Sequence, residues 1–314
     1  TGAALPSVRA KGWIGNAWLG TSDLLVIEAD ESDGTIDRYK PHLGLLLNVS
    51  KDHKETAELL SLFAGFKERS DKFVLNYDTE ALARFREASY TFGFNAGARL
   101  RAERLELSAD SSRFFIEGRE FRIPQIGLYN AENALAAVAA ARVLGVTMNQ
   151  CADALKTFAG VSRRFESVGV VNGITVIDDF AHNPEKVKAA LGAAHLRSRR
   201  VLAVFQLHGF APARFLKNEF VDAFKEAMRP GDMIWFPDIY YAGGTAAKDI
   251  SARDYADALA RLGVTARYAP DRAALPDEIA SRANPGDLVL SMGARDPSLS
   301  DFASSILDAL NRLK

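Results

Sequence analysis

The chain has 314 residues, 48% of them hydrophobic and 25% charged, with a net charge of -1. That length predicts two domains of about 150 residues each, and the balanced charge excludes the broad positive field of a nucleic-acid binder. The single cysteine, Cys151, excludes an internal disulfide, and no apolar run reaches the roughly 18 residues of a membrane span, so a cytoplasmic protein with no membrane partner is expected.

The chain opens Thr1-Gly2-Ala3-Ala4-Leu5-Pro6, which reads as a fold entered partway through. Residues 23–28 and 43–48 are apolar runs of strand length, and the polar stretch between them is long enough for the crossover that parallel neighbours need. The first run ends in Glu28-Ala29-Asp30-Glu31-Ser32-Asp33, the second in Asn48-Val49-Ser50-Lys51-Asp52-His53. If the strands are neighbours, Glu28 and His53 face one crevice, where a carboxylate and an imidazole either hold a divalent cation or serve as a cap and a backbone-bonded histidine. Asp30, Glu31 and Asp33 form a carboxylate cluster that either raises a pKa or binds an amine, or, as is commoner, sits as a solvated acidic turn. Helical spacing covers residues 55–69, followed by a strand at 72–75. Residues 89–124 alternate short extended stretches with turn residues, which predicts an antiparallel addition to the sheet.

An alanine-rich helix runs from Asn130 to Gly145 and a second from about Asn149 to Phe158. Asn130 and Asn133 open the first of these, where an amide either caps the helix or reads a base edge. The polar break Gly160-Val161-Ser162-Arg163-Arg164-Phe165-Glu166 sets a domain boundary, giving domains 1–160 and 161–314. Both arginines are candidates for phosphate, because a guanidinium fork matches its oxygens.

Beyond the break, strands at 174–177, 201–205, 233–236, 265–268 and 287–291 alternate with helices from Pro184 and over 213–228, 251–262, 272–282 and 298–313. That alternation defines an α/β protein whose second domain is a doubly wound parallel sheet. Pro230-Gly231-Asp232 and Pro285-Gly286-Asp287 are turns that deliver two of the strands. Asp178-Asp179-Phe180-Ala181-His182-Asn183-Pro184 follows the first strand at the end where parallel sheets place their chemistry. There Asp179 suits a ribose hydroxyl and His182 a phosphate or an acceptor carboxylate, while His208 closes the next strand. His42 and His195 read as ordinary surface or core histidines. The chain has no Gly-x-x-x-x-Gly-Lys-Ser/Thr loop, Gly-x-Ser-x-Gly elbow, Cys-x-x-Cys pair or His-Glu-x-x-His helix.

Five ordered motifs together resemble the Mur ligases: residues 28–33, Asn48 with Asp52-His53, Gly127-Leu128-Tyr129-Asn130-Ala131-Glu132-Asn133, Phe158-Ala159-Gly160-Val161 with Arg163-Arg164-Phe165, and residues 178–184. The resemblance covers nearly the whole chain. It implies a central ATPase-type domain, lacking its phosphate loop, followed by a Rossmann-like C-terminal domain. It further implies an ATP- and magnesium-dependent amide ligase of peptidoglycan precursor synthesis, joining an amino acid or short peptide to UDP-N-acetylmuramate through an acyl phosphate. By the same resemblance Glu28 and His53 bind magnesium, Asn130 and Asn133 meet adenine, Arg164 the phosphates and Asp179 the ribose. His182 lies in the cleft that excludes water. Without the phosphate loop this chain alone is expected to be inactive, and a noncatalytic nucleotide-binding relative is the alternative of a different class. Tyr129 stands where the family usually has histidine. Gly209 and Ala211 replace a common arginine and hydroxyl residue, and Arg295 replaces a glycine, which leaves the acceptor open between alanine and a peptide. Lys67 lies near a family lysine but out of register.

Overall fold

The computed structural model describes residues 2–31, 34–49 and 56–312, and it divides into two units, residues 1–160 and 161–314. In the first, a short helix α1 (Pro6–Arg9) precedes a four-stranded sheet of β1 (Leu43–Leu46), β2 (Lys72–Asn76), β3 (Tyr90–Gly93) and β4 (Leu100–Arg101). The strands lie in sequence order and all are parallel. Helix α2 (Thr56–Glu68) follows β1 and buries Leu59, Phe63 and Phe66 against Phe73 and Leu75 of β2. A separate antiparallel sheet holds β5 (Glu103–Leu107), β6 (Ser112–Ile116) and β7 (Arg119–Ile123). Helices α3 (Leu128–Val143) and α4 (Met148–Lys156) complete the unit.

Two expectations for this unit are corrected. Residues 89–124 do not extend the sheet in antiparallel fashion: β3 and β4 join it in parallel, and the hairpins form their own sheet. The charged outer face of that sheet, where Arg113 pairs with Glu106 and Glu120, explains why alternation was clear but the partner was not. Residues 23–28 form no strand. Leu25 and Val26 are each 86% exposed, so β propensity without a neighbour to complete the ladder does not make a strand here.

The second unit is a six-stranded sheet built from β8 (Glu166–Val171), β9 (Ile174–Asp179), β10 (Val201–Gln206), β11 (Met233–Phe236), β12 (Ala266–Tyr268) and β13 (Leu288–Gly293). Its order is β12-β11-β10-β13-β9-β8, and only β8, which the sequence reading missed, runs antiparallel. Its helices are α5 (Pro184–Arg197), α6 (Phe210–Phe215), α7 (Lys217–Ala227), α8 (Ala252–Arg261), α9 (Leu275–Arg282) and α10 (Leu299–Arg312). The single helix expected over 213–228 is therefore two. Alternate strand residues Val176, Leu202, Val204, Trp235 and Val289 pack with Leu275, Ile279, Phe302 and Ile306 of α9 and α10. Phe205 and Phe236 project the other way onto Phe220, Phe224 and Tyr255 of α7 and α8. Covering both faces is what makes β10 and β13 buried along their whole length.

One device enters both turns at the far end of this sheet. Asp232 Oδ2 accepts from the Arg229 N–H at 2.7 Å, and Asp287 Oδ2 from the Asn284 N–H at 2.7 Å. Each aspartate thus closes its own Pro-Gly-Asp turn and aims the following strand into the sheet.

Candidate functional site

In unit 2 the sequence motifs converge on the C-terminal ends of β9, β10 and β13. β9 ends on two carboxylates with different partners. Asp178, 1% exposed, receives Arg163 Nε at 3.0 Å and the Ser300 hydroxyl at 2.8 Å. Asp179 receives the Phe165 N–H and the Ala181 N–H, each at 2.7 Å. Burial pushes the Asp179 carboxyl up to about 6, against the lowering effect of those two bonds and of the Arg164 charge. Arg163 also donates to the Gly293 carbonyl at 2.8 Å, tying the interdomain segment to the end of β13.

The two arginines therefore separate. Arg163 is consumed by the fold, whereas Arg164 is exposed and lies over the Phe180 ring at 5.6 Å, leaving its fork to solvent. Arg163 and Phe165 both adopt positive φ (58° and 50°), the strained backbone that presents adjacent arginines in different directions.

Asn183 caps α5 by accepting from the Lys186 N–H, and Pro184 at the first helical position has no N–H to satisfy. His182 donates from Nδ1 to the Phe180 carbonyl at 2.8 Å, which fixes its tautomer and leaves Nε2 to accept from Lys186 Nζ at 3.4 Å. Its ring stands 5.9 Å from that of His208. The His208 loop pairs with the one after β11: Tyr240 N–H donates to the Leu207 carbonyl and Gly209 N–H to the Tyr240 carbonyl, both at 2.8 Å. Gly209 has φ +69°, and this leads the chain into α6. Sequence reasoning missed Lys186 and Tyr240. The signals were present: Lys186 is four residues from His182, and Tyr240 follows a strand end of the same kind as those singled out.

In unit 1, α3 begins at Leu128, and Asn130 donates from its amide to the Ile126 carbonyl at 2.8 Å rather than capping the helix. Asn133, one turn on and exposed, presents its amide to solvent. Beside it, burial and the Asp78 charge raise the Glu132 carboxyl above the usual range. Glu28 is exposed and accepts from the Gly2 N–H at 2.6 Å; His53, Asp52, Ser32 and Asp33 lie outside the described residues, as does any pairing of Glu28 with His53. An exposed carboxylate is a suitable oxygen donor for magnesium, but among the described residues no three such groups cluster. Lys67 is held by the carbonyls of Phe85 and Glu87. His42 is a surface residue facing Asp71, and His195 a core residue facing Asp232. An open pocket of about 750 Å³ between the β6–β7 turn and α4 contains none of these candidates, and its charged lining includes an internal Asp153–Lys156 pair.

A pair of α/β units, the second a doubly wound sheet with its polar loops gathered at the carboxyl ends, defines the class as a two-unit α/β protein. Residues 17–141 match the Mur ligase middle domain, and residues 163–295 match the Mur ligase glutamate ligase domain. The UDP-N-acetylmuramate--L-alanine ligase of Crocosphaera subtropica is 36% identical over 90% of this chain and 57% of its own length; that of Pelotomaculum thermopropionicum is 34% identical over 96% and 67%. The solved UDP-N-acetylmuramate-alanine ligase MurC of Thermotoga maritima shares the fold with a TM-score of 0.73 at 22% identity, over 91% of this chain and 63% of that one. MurF ligase of Thermotoga maritima in complex with ADP gives 0.66 at 17% identity, over 87% and 64%. The chain belongs to the Mur ligase family. It spans about 57–64% of the length of the first two curated relatives it matches.

Proposed function

We propose that this chain supplies the nucleotide and acceptor regions of an ATP-dependent amide ligase of peptidoglycan precursor synthesis, which joins an amino acid or short peptide to UDP-N-acetylmuramate through an acyl phosphate. The observation that carries the reading is the 36% identity over 90% of the chain to a ligase of that name. The ADP complex of a fold neighbour supports a nucleotide cofactor. In this reading Asn130 and Asn133 approach the adenine, and the exposed fork of Arg164 engages phosphate oxygens. Asp179, ionised at neutral pH, offers a ribose hydroxyl the lone pairs left over from its bonds to Phe165 and Ala181. His182 stands on the acceptor side beside His208. Glu28 and His53 are the proposed protein ligands of magnesium, which when bound would offset the charge of the phosphates.

The test is phosphate release by the full gene product with UDP-N-acetylmuramate, ATP and magnesium. Release that requires an added amino acid or peptide is expected; no release with any acceptor rejects the ligase and favours a nucleotide-binding relative. The paired arginines sharpen the test. Arg164→Ala is expected to lower kcat/KM by roughly 100-fold with an unchanged melting temperature, the size of effect seen when one charge-stabilising donor is removed. Arg163→Ala is expected instead to destabilise the fold by about 3 kcal/mol, because it leaves buried Asp178 without its cation. Equal effects of the two substitutions on activity and stability would remove Arg164 from the phosphate site.

A further inference from the structure

Arg295 lies two residues past the end of β13 and is used by neither the packing nor the roles assigned above. It is exposed, its backbone is left-handed at φ +64°, and its guanidinium has no hydrogen bond or ion pair with any described residue. Glycine would adopt that conformation at lower cost, so the turn itself does not call for an arginine. The preceding Gly293 does have a packing reason: at φ +148°, a Cβ there would come within 2.9 Å of the Gln206 carbonyl oxygen.

The surroundings say what such a side chain can do. β13 runs between β10 and β9, so the loop that carries Arg295 leaves the sheet between the strands that lead to His208 and to His182, whose rings stand 5.9 Å apart. Lys186 joins the same edge through His182. The carboxylates there are already engaged: Asp178 by Arg163 and Ser300, Asp179 by two backbone N–H groups, and Asp296 by Arg272 and Ser298. Beside the open fork of Arg164, this edge thus offers a second uncommitted guanidinium, that of Arg295, along with imidazoles and an amine, which is the chemistry that recognises a carboxylate by two parallel bonds. Gly209 and Ala211 at the head of α6 add no bulk to this edge.

We infer that Arg295 is a specificity-determining residue that reads a second carboxylate on the acceptor, so that the acceptor is a dicarboxylic amino acid or an acidic peptide rather than a neutral amino acid. The word acceptor rests on the ligase reading; the carboxylate site does not. The experiment is calorimetric titration of the full chain with L-alanine, L-glutamate and alanyl-glutamate, for the native protein, Arg295→Gly and Arg295→Lys. The native protein is expected to prefer at least one dicarboxylate over alanine. Arg295→Gly is expected to weaken that ligand by roughly 10- to 100-fold, the worth of a charged hydrogen-bonded pair, with a thermal midpoint unchanged or raised because glycine relaxes the turn. Arg295→Lys is expected to recover part of the preference. Absence of any preference, or a preference that survives Arg295→Gly, overturns the proposal. Phosphate release by the full gene product separates the two readings. A glutamate preference lost in Arg295→Gly, with no release for any acceptor, rejects the ligase and keeps the carboxylate site. Release with alanine alone, at a KM unaffected by Arg295→Gly, does the reverse.

Discussion

Asp179 and Asp232 are both buried carboxylates whose oxygens accept backbone N–H groups, yet they titrate in opposite directions. Burial dominates at Asp179 and raises its carboxyl from 3.8 to about 6. At Asp232 burial acts the same way, but the bonds from His195, the Arg229 N–H and the Val201 N–H outweigh it and hold the carboxyl below its ordinary value. A raised acid binds its proton more tightly when folded, so Asp179 contributes most below its unfolded value near 3.8, and that contribution is lost as pH rises toward 6. That rise from 3.8 to about 6 is worth on the order of 3 kcal/mol. Urea unfolding of the native protein and of Asp179→Asn, compared at pH 4, 5, 6 and 7, cancels the other groups. The native protein's advantage is expected to shrink across pH 4 to 6 and then level off; a difference independent of pH would show that Asp179 does not titrate in this window. At this scale residue type alone marks both Arg163 and Arg164 as forks suited to an anion. Their fates were not legible, since nothing in the dipeptide Arg163-Arg164 says which arginine the fold will consume.

At the scale of elements, the Asp232 carboxylate joins three pieces of unit 2. It receives the N–H that opens β10 at 2.7 Å, the Arg229 N–H of the turn into β11 at 2.7 Å, and His195 Nε2 from the last turn of α5 at 2.8 Å. The aspartate and histidine side chains are 0% and 2% exposed, so water cannot replace a lost partner. Asp232→Ala is expected to cost about 3 kcal/mol or more, because it orphans buried donors in three elements at once. Trp235 is the only tryptophan of unit 2 and is fully buried, and its emission during urea unfolding reads that loss; a cost under about 1 kcal/mol would mean that the turn relaxes around the gap. Elements like these were readable because Pro-Gly-Asp followed by an apolar run specifies both a turn and a buried strand. β8 was not, since exposed Ser167 and Val170 around half-buried Val168 and Gly169 give no clean alternation, and its strand state comes from antiparallel pairing to β9. The run Leu24 to Ile27 failed in the opposite sense: it has strand composition, but its residues remain exposed and unpaired in the described structure.

For the whole molecule, the described apolar clusters each stay within one unit. Two fall within residues 29–158 and the third within residues 168–310. Unit 2 alone also contains both faces of its sheet, with α9 and α10 on one and the aromatic group of Phe205, Phe220, Phe224, Phe236 and Tyr255 on the other. About 150 residues with a core of that kind are enough for independent, cooperative folding. Residues 161–314 expressed alone are therefore expected to unfold in one transition, followed by Trp235 emission, at the same urea midpoint as in the whole chain. The whole chain supplies the control, because Trp13 and Trp18 of unit 1 are half-exposed and change little on unfolding. A midpoint lower by more than about 1 M, at the 1–3 kcal/mol per molar typical of such domains, would mean that unit 1 contributes more than about 1 kcal/mol to the stability of unit 2. Coincident midpoints would place the loops of His182, His208 and Arg295 on a scaffold that holds them without help from unit 1, and the carboxylate titration could then be repeated on unit 2 alone.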